Sequence, residues 1–488
     1  MTFEIGISAK RMRAVLVAIK AIVAVSIVAA CGAPPVSDDQ VREASDAAPV
    51  ELSTQALTEA EAIFDYAYPL VIMKISQDLM LTVPIRPRTT PNHFIHFRRL
   101  AQPEQRAVVL GNRNTLYSVG WLDLSAGPVV FEIPDMGDRY YVMPLLDAWT
   151  NTFESLGSRT TGQAAQKYLI AHENFSGDVP DGHTLIRSPT NMVWITGRVQ
   201  ADSAEDAKTV ALLQDEYVLM SLEEQMTGVD PFADYAPQYT FGKVRLPVPY
   251  SLQMEAAEFY NTFFEMAAAN PGPQADEDMF QLLSDWGIDL SAPLRFENLS
   301  LQTQAALQAG LKSKQSAYSA AFYSGTAQSE PWLFNLDPAM GNWGADFARR
   351  AYWAMWGLGT NISQDAVYGV TQLDQTMQPL NGQNTYRLHF EADELPPTQA
   401  FWSVTNYDVE GYLERNAQDR YSLGSNHQLN FNQDGSLDLY LSYAPPAQDG
   451  ANWIPAPEGE FKILLRIYWP QEIVLTGAWS LPDVERLP

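Results

Sequence analysis

The sequence predicts an α+β protein with two separate β-rich domains joined by a mainly helical region. Three observations carry that assignment. Apolar residues alternate with period two from about residue 108 to 200, and again from about 375 to 488. Between those stretches they recur every three or four positions. The chain is also long, 488 residues at 46% hydrophobic content, which is more than one ordinary core needs. Strands and helices grouped apart, rather than interleaved, favour α+β over a parallel α/β sheet.

Residues 1–30 read as a signal peptide. Lys10, Arg11 and Arg13 precede an apolar run from Ala14 to Ala30, interrupted by Lys20. The run ends in Val28-Ala29-Ala30-Cys31-Gly32, which resembles a bacterial lipobox. That resemblance implies that Cys31 becomes the acylated N-terminus of an exported lipoprotein held in a membrane through its lipid. Each acyl CH₂ buried in the bilayer contributes ~0.8 kcal/mol. Gly32, rather than Asp, after the Cys points to outer-membrane sorting, with the body facing the periplasm or the cell surface. Cys31 is the one Cys of the sequence, so no intramolecular disulfide forms. Losing residues 1–30 removes four basic residues and one acidic residue, Glu4, and takes the formal charge from −27 to −30. So acidic a body repels phosphate and excludes general nucleic-acid binding.

Residues 31–51 are small, polar and Pro-containing, a flexible tether. The N-terminal β-rich domain is assigned to 52–202. It opens with a helix over 52–80, where Leu57, Ala60, Phe64, Ala67, Val71 and Ile75 share a face and Pro69 is expected to kink or divide it. Val129–Ile133 and Arg139–Met143 flank Pro134-Asp135-Met136-Gly137-Asp138 and read as a hairpin. The helical bridge is assigned to 203–370. Its stripes are Val210, Leu213, Tyr217 and Met220, then Leu252, Ala256, Phe259 and Phe263, then Glu277–Trp286, Leu299–Tyr323 and Asp346–Trp356. The C-terminal domain is assigned to 371–488. Leu429 and Phe431 are paired with Leu437–Leu441 through Asp434-Gly435, and Phe461–Trp469 forms a further strand. No internal repeat is evident.

Several segments resemble a known domain pair. Asn112–Ser118, the stretch WLDLSAGPVVFEIPDMGDRYYVMPLLDAWTN and GSRTTG resemble the domain of unknown function 1254. LGTN, DAVYG, PLNGQNTYRLHF, PPTQAFWSVTNYD, QDGSLDLYLS and NWIPAPEGEFKILLRIYWP resemble the domain of unknown function 1214. The resemblance implies two β-sandwich or jelly-roll-like lobes joined by helices. It implies no chemistry. One departure is Asn114, which stands where the family motif carries Asp.

The residues suggest a polar cleft rather than a familiar catalytic signature. There is no nucleophile elbow, phosphate loop or dinucleotide fingerprint, and no metal or cofactor is assigned. In the N-terminal domain Arg113 suits a carboxylate or phosphate, beside Asn114 and Arg139. Tyr117, Asp123 and Asp147 are the candidate catalytic groups, either carboxylate serving as acid or base. The same residues also suit a buried network, with Asp147 paired to Arg139 or Arg159. In the C-terminal domain Trp402, Tyr421 and Trp453, with Arg420 and Arg466, suit a sugar platform or equally a sandwich core. The leading reading is an envelope lipoprotein that binds a polar small molecule or carbohydrate between its β domains. A hydrolase using the Asp, Tyr and Arg groups, and a structural envelope protein, are its rivals. Whether it is catalytic, and its oligomeric state, stay open at this stage.

Mass spectrometry of the mature N-terminus is expected to find an acylated Cys31 as the first residue. An unmodified Cys31, or cleavage elsewhere, would contradict the anchor.

Overall fold

The computed structural model describes residues 52–82, 90–106, 109–235, 246–324 and 329–488; the signal sequence, Cys31 and the tether lie outside them. Alternating strands build four sheets. In the N-terminal lobe β1 (Phe94–His96), β2 (Thr115–Asp123), β8 (Met192–Gln200), β4 (Tyr141–Asp147) and β5 (Thr152–Gly157) form a five-stranded sheet in that order. Facing it are β7 (Thr184–Ser188), β6 (Gln166–His172), β3 (Val129–Ile133) and β9 (Val218–Ser221). The inner faces share a core that includes Leu116, Leu122, Phe131, Leu145, Ile170 and Val193.

The C-terminal lobe is built the same way. Its five-stranded sheet runs β10 (Leu333–Asn335), β11 (Ala366–Thr371), β17 (Phe461–Pro470), β13 (Thr398–Asp408) and β14 (Ser422–Gly424). Its second sheet runs β16 (Asn452–Pro455), β15 (Leu437–Ser442), β12 (Tyr386–Phe390) and β18 (Val484–Arg486). Val367, Leu388, Trp402, Leu439, Ile463 and Ile467 fill the space between them.

These lobes are two copies of one topology, which corrects the expectation that no repeat exists. Adding nine to each strand number of the first lobe gives the second, in both sheet orders. Each four-stranded sheet even keeps one parallel pair, β6 with β7 and β15 with β16. Aligned on this register, remnants of the repeat become visible. Asn114–Asp123 and Asp365–Asp374 share their Tyr, Val, Leu and final Asp, and Ser-Leu-Gly-Ser occurs at 155–158 and 422–425. Local contacts repeat as well. The Tyr141 N–H donates to Ser158 Oγ and the Trp402 N–H to Ser425 Oγ, each at 3.0 Å. A sandwich tolerates such divergence as long as apolar alternation and volume are kept.

The helices gather into a hub against the first lobe. Helix α1 (Thr54–Thr82) packs against α5 (Ala256–Ala269), α7 (Leu301–Ser324) and α8 (Phe347–Trp356). The smaller helices are α2 (Asp206–Asp215), α3 (Leu222–Thr227), α4 (Pro247–Ser251), α6 (Glu277–Asp285) and α9 (Glu472–Leu475). Gly310 lets α7 approach α1 closely, since a Cβ there would lie 2.6 Å from Ala60 Cβ. Phe64, Phe259, Phe263 and Leu307 form the hub core, which also takes Val119 and Trp121 from the outer face of β2. No helix among the described residues is long and apolar enough to cross a membrane.

Four local expectations change. Pro69 sits inside one continuous helix and does not divide it. The turn at Pro134–Asp138 is a crossover, because β3 and β4 belong to different sheets. Helix α2 stops at Asp215, and Val218–Ser221 joins β3 as a strand, so the first lobe extends to Ser221. The Asp434-Gly435 turn exists, but Leu429–Phe431 is no strand; β15 pairs with β12 and β16 instead.

Gly157 and Gly424 are equivalent, and each lies against backbone of the neighbouring strand. An added Cβ would meet Tyr141 O at 2.5 Å in one lobe and Trp402 O at 2.0 Å in the other. Gly157→Ala and Gly424→Ala are each expected to cost about 2 kcal/mol or more in urea unfolding, as overpacking against immobile backbone does. Wild-type stability in both would contradict the shared register.

Candidate functional site

The outer faces of the two five-stranded sheets meet, and their contacts are reciprocal. Ser155 Oγ donates to the Asp365 carboxylate, and its counterpart Ser422 donates to Asn114 Oδ1 at 3.1 Å. Asn114 and Asp365 are themselves counterparts. Tyr140 touches its own counterpart, Phe401, edge to face at 5.8 Å. Equivalent residues that exchange partners, with one equivalent pair in self-contact, mark a two-fold interface.

Each lobe carries the same cross-strand pair into this interface. Tyr117 on β2 lies opposite Arg198 on β8, and Tyr368 on β11 lies opposite Arg466 on β17. Paired residues share a face, so tyrosine and arginine present together. Both arginines are buried, Arg198 at 8% and Arg466 at 3% exposure. Arg198 donates to Thr196 O at 2.8 Å, Asn361 Oδ1 at 2.7 Å and Gly359 O at 2.7 Å. Arg466 donates to Leu110 O at 2.7 Å, the Tyr407 hydroxyl at 3.0 Å and Thr405 Oγ1 at 3.3 Å. Each therefore reaches the segment that leads into the other lobe's Tyr-bearing strand.

Two other arginines of low exposure have acids. Arg350 and Asp276, both fully buried, lie 3.3 Å apart, and Arg159 meets Asp365 at 2.6 Å. Among the described residues Arg198 and Arg466 have none; the ionisable groups acting on them are tyrosines. Carbonyls and hydroxyls satisfy their N–H groups without cancelling their charge, and an uncompensated buried ion costs several kcal/mol.

The surrounding phenols differ. Tyr407 donates to Gly111 O at 2.7 Å, and Tyr468 accepts from Asn112 Nδ2 at 2.6 Å. Tyr407 and Tyr468 are fully buried, whereas Tyr117 and Tyr368 keep part of their surface exposed. Burial raises the Tyr368, Tyr407 and Tyr468 phenols. Burial also works on Tyr117, but the Arg198 and Arg466 charges, with the polar hydrogens of Asn112 and Arg198, outweigh it and hold that phenol below its ordinary value.

The predicted catalytic group is not assembled, which corrects that assignment. Asp123 lies opposite Met192 and Asp147 opposite Val193, five or six positions along β8 from Arg198 and Tyr117. At ~3.3 Å per residue that separation is ~16–20 Å. Asp123 caps the turn at Ser125, and Asp147 accepts the Asn151 backbone N–H at 2.8 Å and its Nδ2 at 2.9 Å rather than pairing with Arg139 or Arg159. Arg139 is held by both Asp206 oxygens at 2.8 Å.

Of the predicted binding residues, Arg466 lies in the arginine pair, and Asn114 joins the interface through Ser422. Arg113 donates to Ala101 O and lies 4.8 Å from the Tyr421 ring centroid, so those two come together. The sugar platform is not open. Trp402 belongs to the sandwich core, Trp453 is buried with Nε1 on Ser442 O at 3.0 Å, and Arg420 is tied to Trp453 O at 3.2 Å. Arg198, Tyr368 and Asn361 were missed. Their signal was the divergent Tyr-bearing repeat and a single Arg inside each of two apolar strands. Elsewhere, His93, Glu224 and Asp230 offer metal-type ligand atoms within 4.8 Å of one another, His93 Nε2 facing Glu224 at 3.2 Å.

Residues 91–221 match the family described as "Protein of unknown function (DUF1254)", and 365–472 match "Protein of unknown function (DUF1214)". No curated protein matches. The crystal structure of the VPA0106 protein from Vibrio parahaemolyticus is similar at 22% identity and a TM-score of 0.66, over 89% of this chain and 100% of that one. A putative uncharacterised protein from Burkholderia cenocepacia aligns over 86% of this chain and 92% of its own, at 12% identity and a TM-score of 0.40. The first likeness concerns the fold alone.

Burial raises Asp147 to about 6, the Asn151 hydrogen bonds opposing it. A raised carboxyl contributes stability that is full below its unfolded value near ~3.9 and is lost as pH rises through the folded value. Urea midpoints should fall between pH 4 and 6, by up to ~1.4 kcal/mol per pH unit from this group. Asp147→Asn is expected to flatten that slope; an unaltered profile would show that Asp147 does not titrate there.

Proposed function

The chain carries the paired domains of unknown function 1254 and 1214, and we propose that the pair forms one binding protein which holds a small organic anion between its lobes. The observation that supports this is the pair of buried guanidiniums, Arg198 and Arg466, with no carboxylate beside either among the described residues. A guanidinium grips a carboxylate through two parallel hydrogen bonds. An anion between the lobes offsets the cost of burying these two charges. The exposed parts of Tyr117 and Tyr368 leave contact surface for it.

This refines the polar-ligand reading toward carboxylates and away from sugars, since Trp402 and Trp453 spend their rings on packing. The hydrolase reading loses its acid and base, because Asp123 and Asp147 sit at the far end of the sheet from Tyr117. Within this proposal the protein is exported and tethered through acylated Cys31, outer-membrane held, with the binding body in the periplasm or at the surface. A small solute then meets an acidic body with a cationic interior, which selects against anions too large to enter.

Thermal unfolding with a panel of carboxylic acids and neutral sugars, at constant ionic strength, checks this. Occupancy at 100 times Kd is worth ~2.7 kcal/mol, which should raise Tm by about 2 °C or more in a chain of this size. Organic acids are expected to do so, with the effect reduced in Arg466→Gln and better kept in Arg466→Lys. Shifts caused by sugars and not by acids, or equal in wild type and Arg466→Gln, would refute the proposal.

A further inference from the structure

We infer that the ligand has two anionic ends, a short dicarboxylate with one carboxylate for each lobe. The inference rests on the binding reading above and adds the ligand's shape. Arg198 and Arg466 are not two cations that happen to be neighbours. They occupy the same position in the two copies of the sandwich, each opposite a tyrosine that also repeats. The lobes meet through exchanged contacts, Ser155 with Asp365 and Ser422 with Asn114, and through the self-contact of Tyr140 with Phe401. That arrangement relates the two arginines by approximate two-fold symmetry. Asn361, which accepts from Arg198 at 2.7 Å, donates to the Tyr368 hydroxyl at 3.1 Å, and Tyr368 stands opposite Arg466, so one short chain of contacts joins the two arginines.

Charge then decides the ligand's shape. One carboxylate satisfies one guanidinium bidentately and leaves the second buried charge uncompensated. A molecule with a carboxylate at each end neutralises both. The repeated tyrosines, Tyr117 and Tyr368, each stand opposite one arginine and offer a hydroxyl to the same end of such a ligand. A tetrahedral dianion also offers an oxygen edge to each side but spans only one fixed, short distance, so phosphate is the comparison that separates charge from length. The reciprocal grips on Gly359 O and Leu110 O hold the arginines in place between the lobes, which fixes the span and therefore the preferred chain length.

Isothermal titration of the purified full-length protein with malonate, succinate, glutarate and adipate tests this. Acetate, propionate and inorganic phosphate serve as comparisons at equal ionic strength. One dicarboxylate length is expected to bind at least ~30-fold tighter than any monocarboxylate. Arg198→Gln and Arg466→Gln should each reduce it to monocarboxylate affinity. Monocarboxylates or phosphate binding as tightly as every dicarboxylate would overturn the two-ended ligand while leaving anion binding intact. No heat from any anion would overturn both. The length series in wild type reads the inference even where a substituted protein fails to fold.

Discussion

Two guanidinium groups buried where the lobes meet, without a carboxylate partner among the described residues, constrain everything around them. Burying even one such charge costs several kcal/mol. The structure accepts two and surrounds them with carbonyls, hydroxyls and phenols. Arg198 fastens its lobe to Gly359 and Asn361, while Arg466 fastens its own to Leu110. Lobe contact and arginine burial are therefore one event: separating the lobes would rehydrate both charges.

Duplication explains how such a site arises at an interface rather than within a domain. A sandwich has two outer faces per copy, and the five-stranded sheet of each lobe turns one outward. Alternation places Arg198 and Tyr117 on that face in one lobe, and Arg466 and Tyr368 in the other. Two copies joined face to face double every side chain near the axis. Divergence has since made the halves unequal. Asp365 keeps Arg159 as a partner, whereas its counterpart Asn114 is neutral and accepts from the Ser422 hydroxyl. Tyr117 is acidified by both arginines, while Tyr368 is raised by burial. The helical hub covers a further part of the first lobe's outer face through Val119 and Trp121.

Much of the architecture was legible in the sequence because periodicity reports local geometry directly. The stripes over 277–286 and 346–356 became α6 and α8 within a residue or two, and Phe461–Trp469 became β17. Sheet membership was not legible. The residues Pro134–Asp138 reverse the chain like a hairpin turn, yet they carry it from one sheet to the other, and turn chemistry is the same in both cases. The repeat escaped because packing constrains hydrophobicity and volume more tightly than identity. Site residues followed the same logic. Asp123, Asp147 and Tyr117 are close along the chain, but strand length and register part them. Arg466 was picked out, and its face parity separates it from Trp402: it lies opposite Ser403 on β13, so the adjacent Trp402 points into the core.

The central claim concerns what lies between Arg198 and Arg466, and a crystal structure grown in excess of the tightest-binding dicarboxylate addresses it most directly. The account predicts electron density for a dianion spanning the lobes, one carboxylate against each guanidinium and the Tyr117 and Tyr368 hydroxyls beside them. Lobes without the anion between them, with Arg198 still bonded only to Thr196, Gly359 and Asn361 and Arg466 only to Leu110, Thr405 and Tyr407, would contradict it.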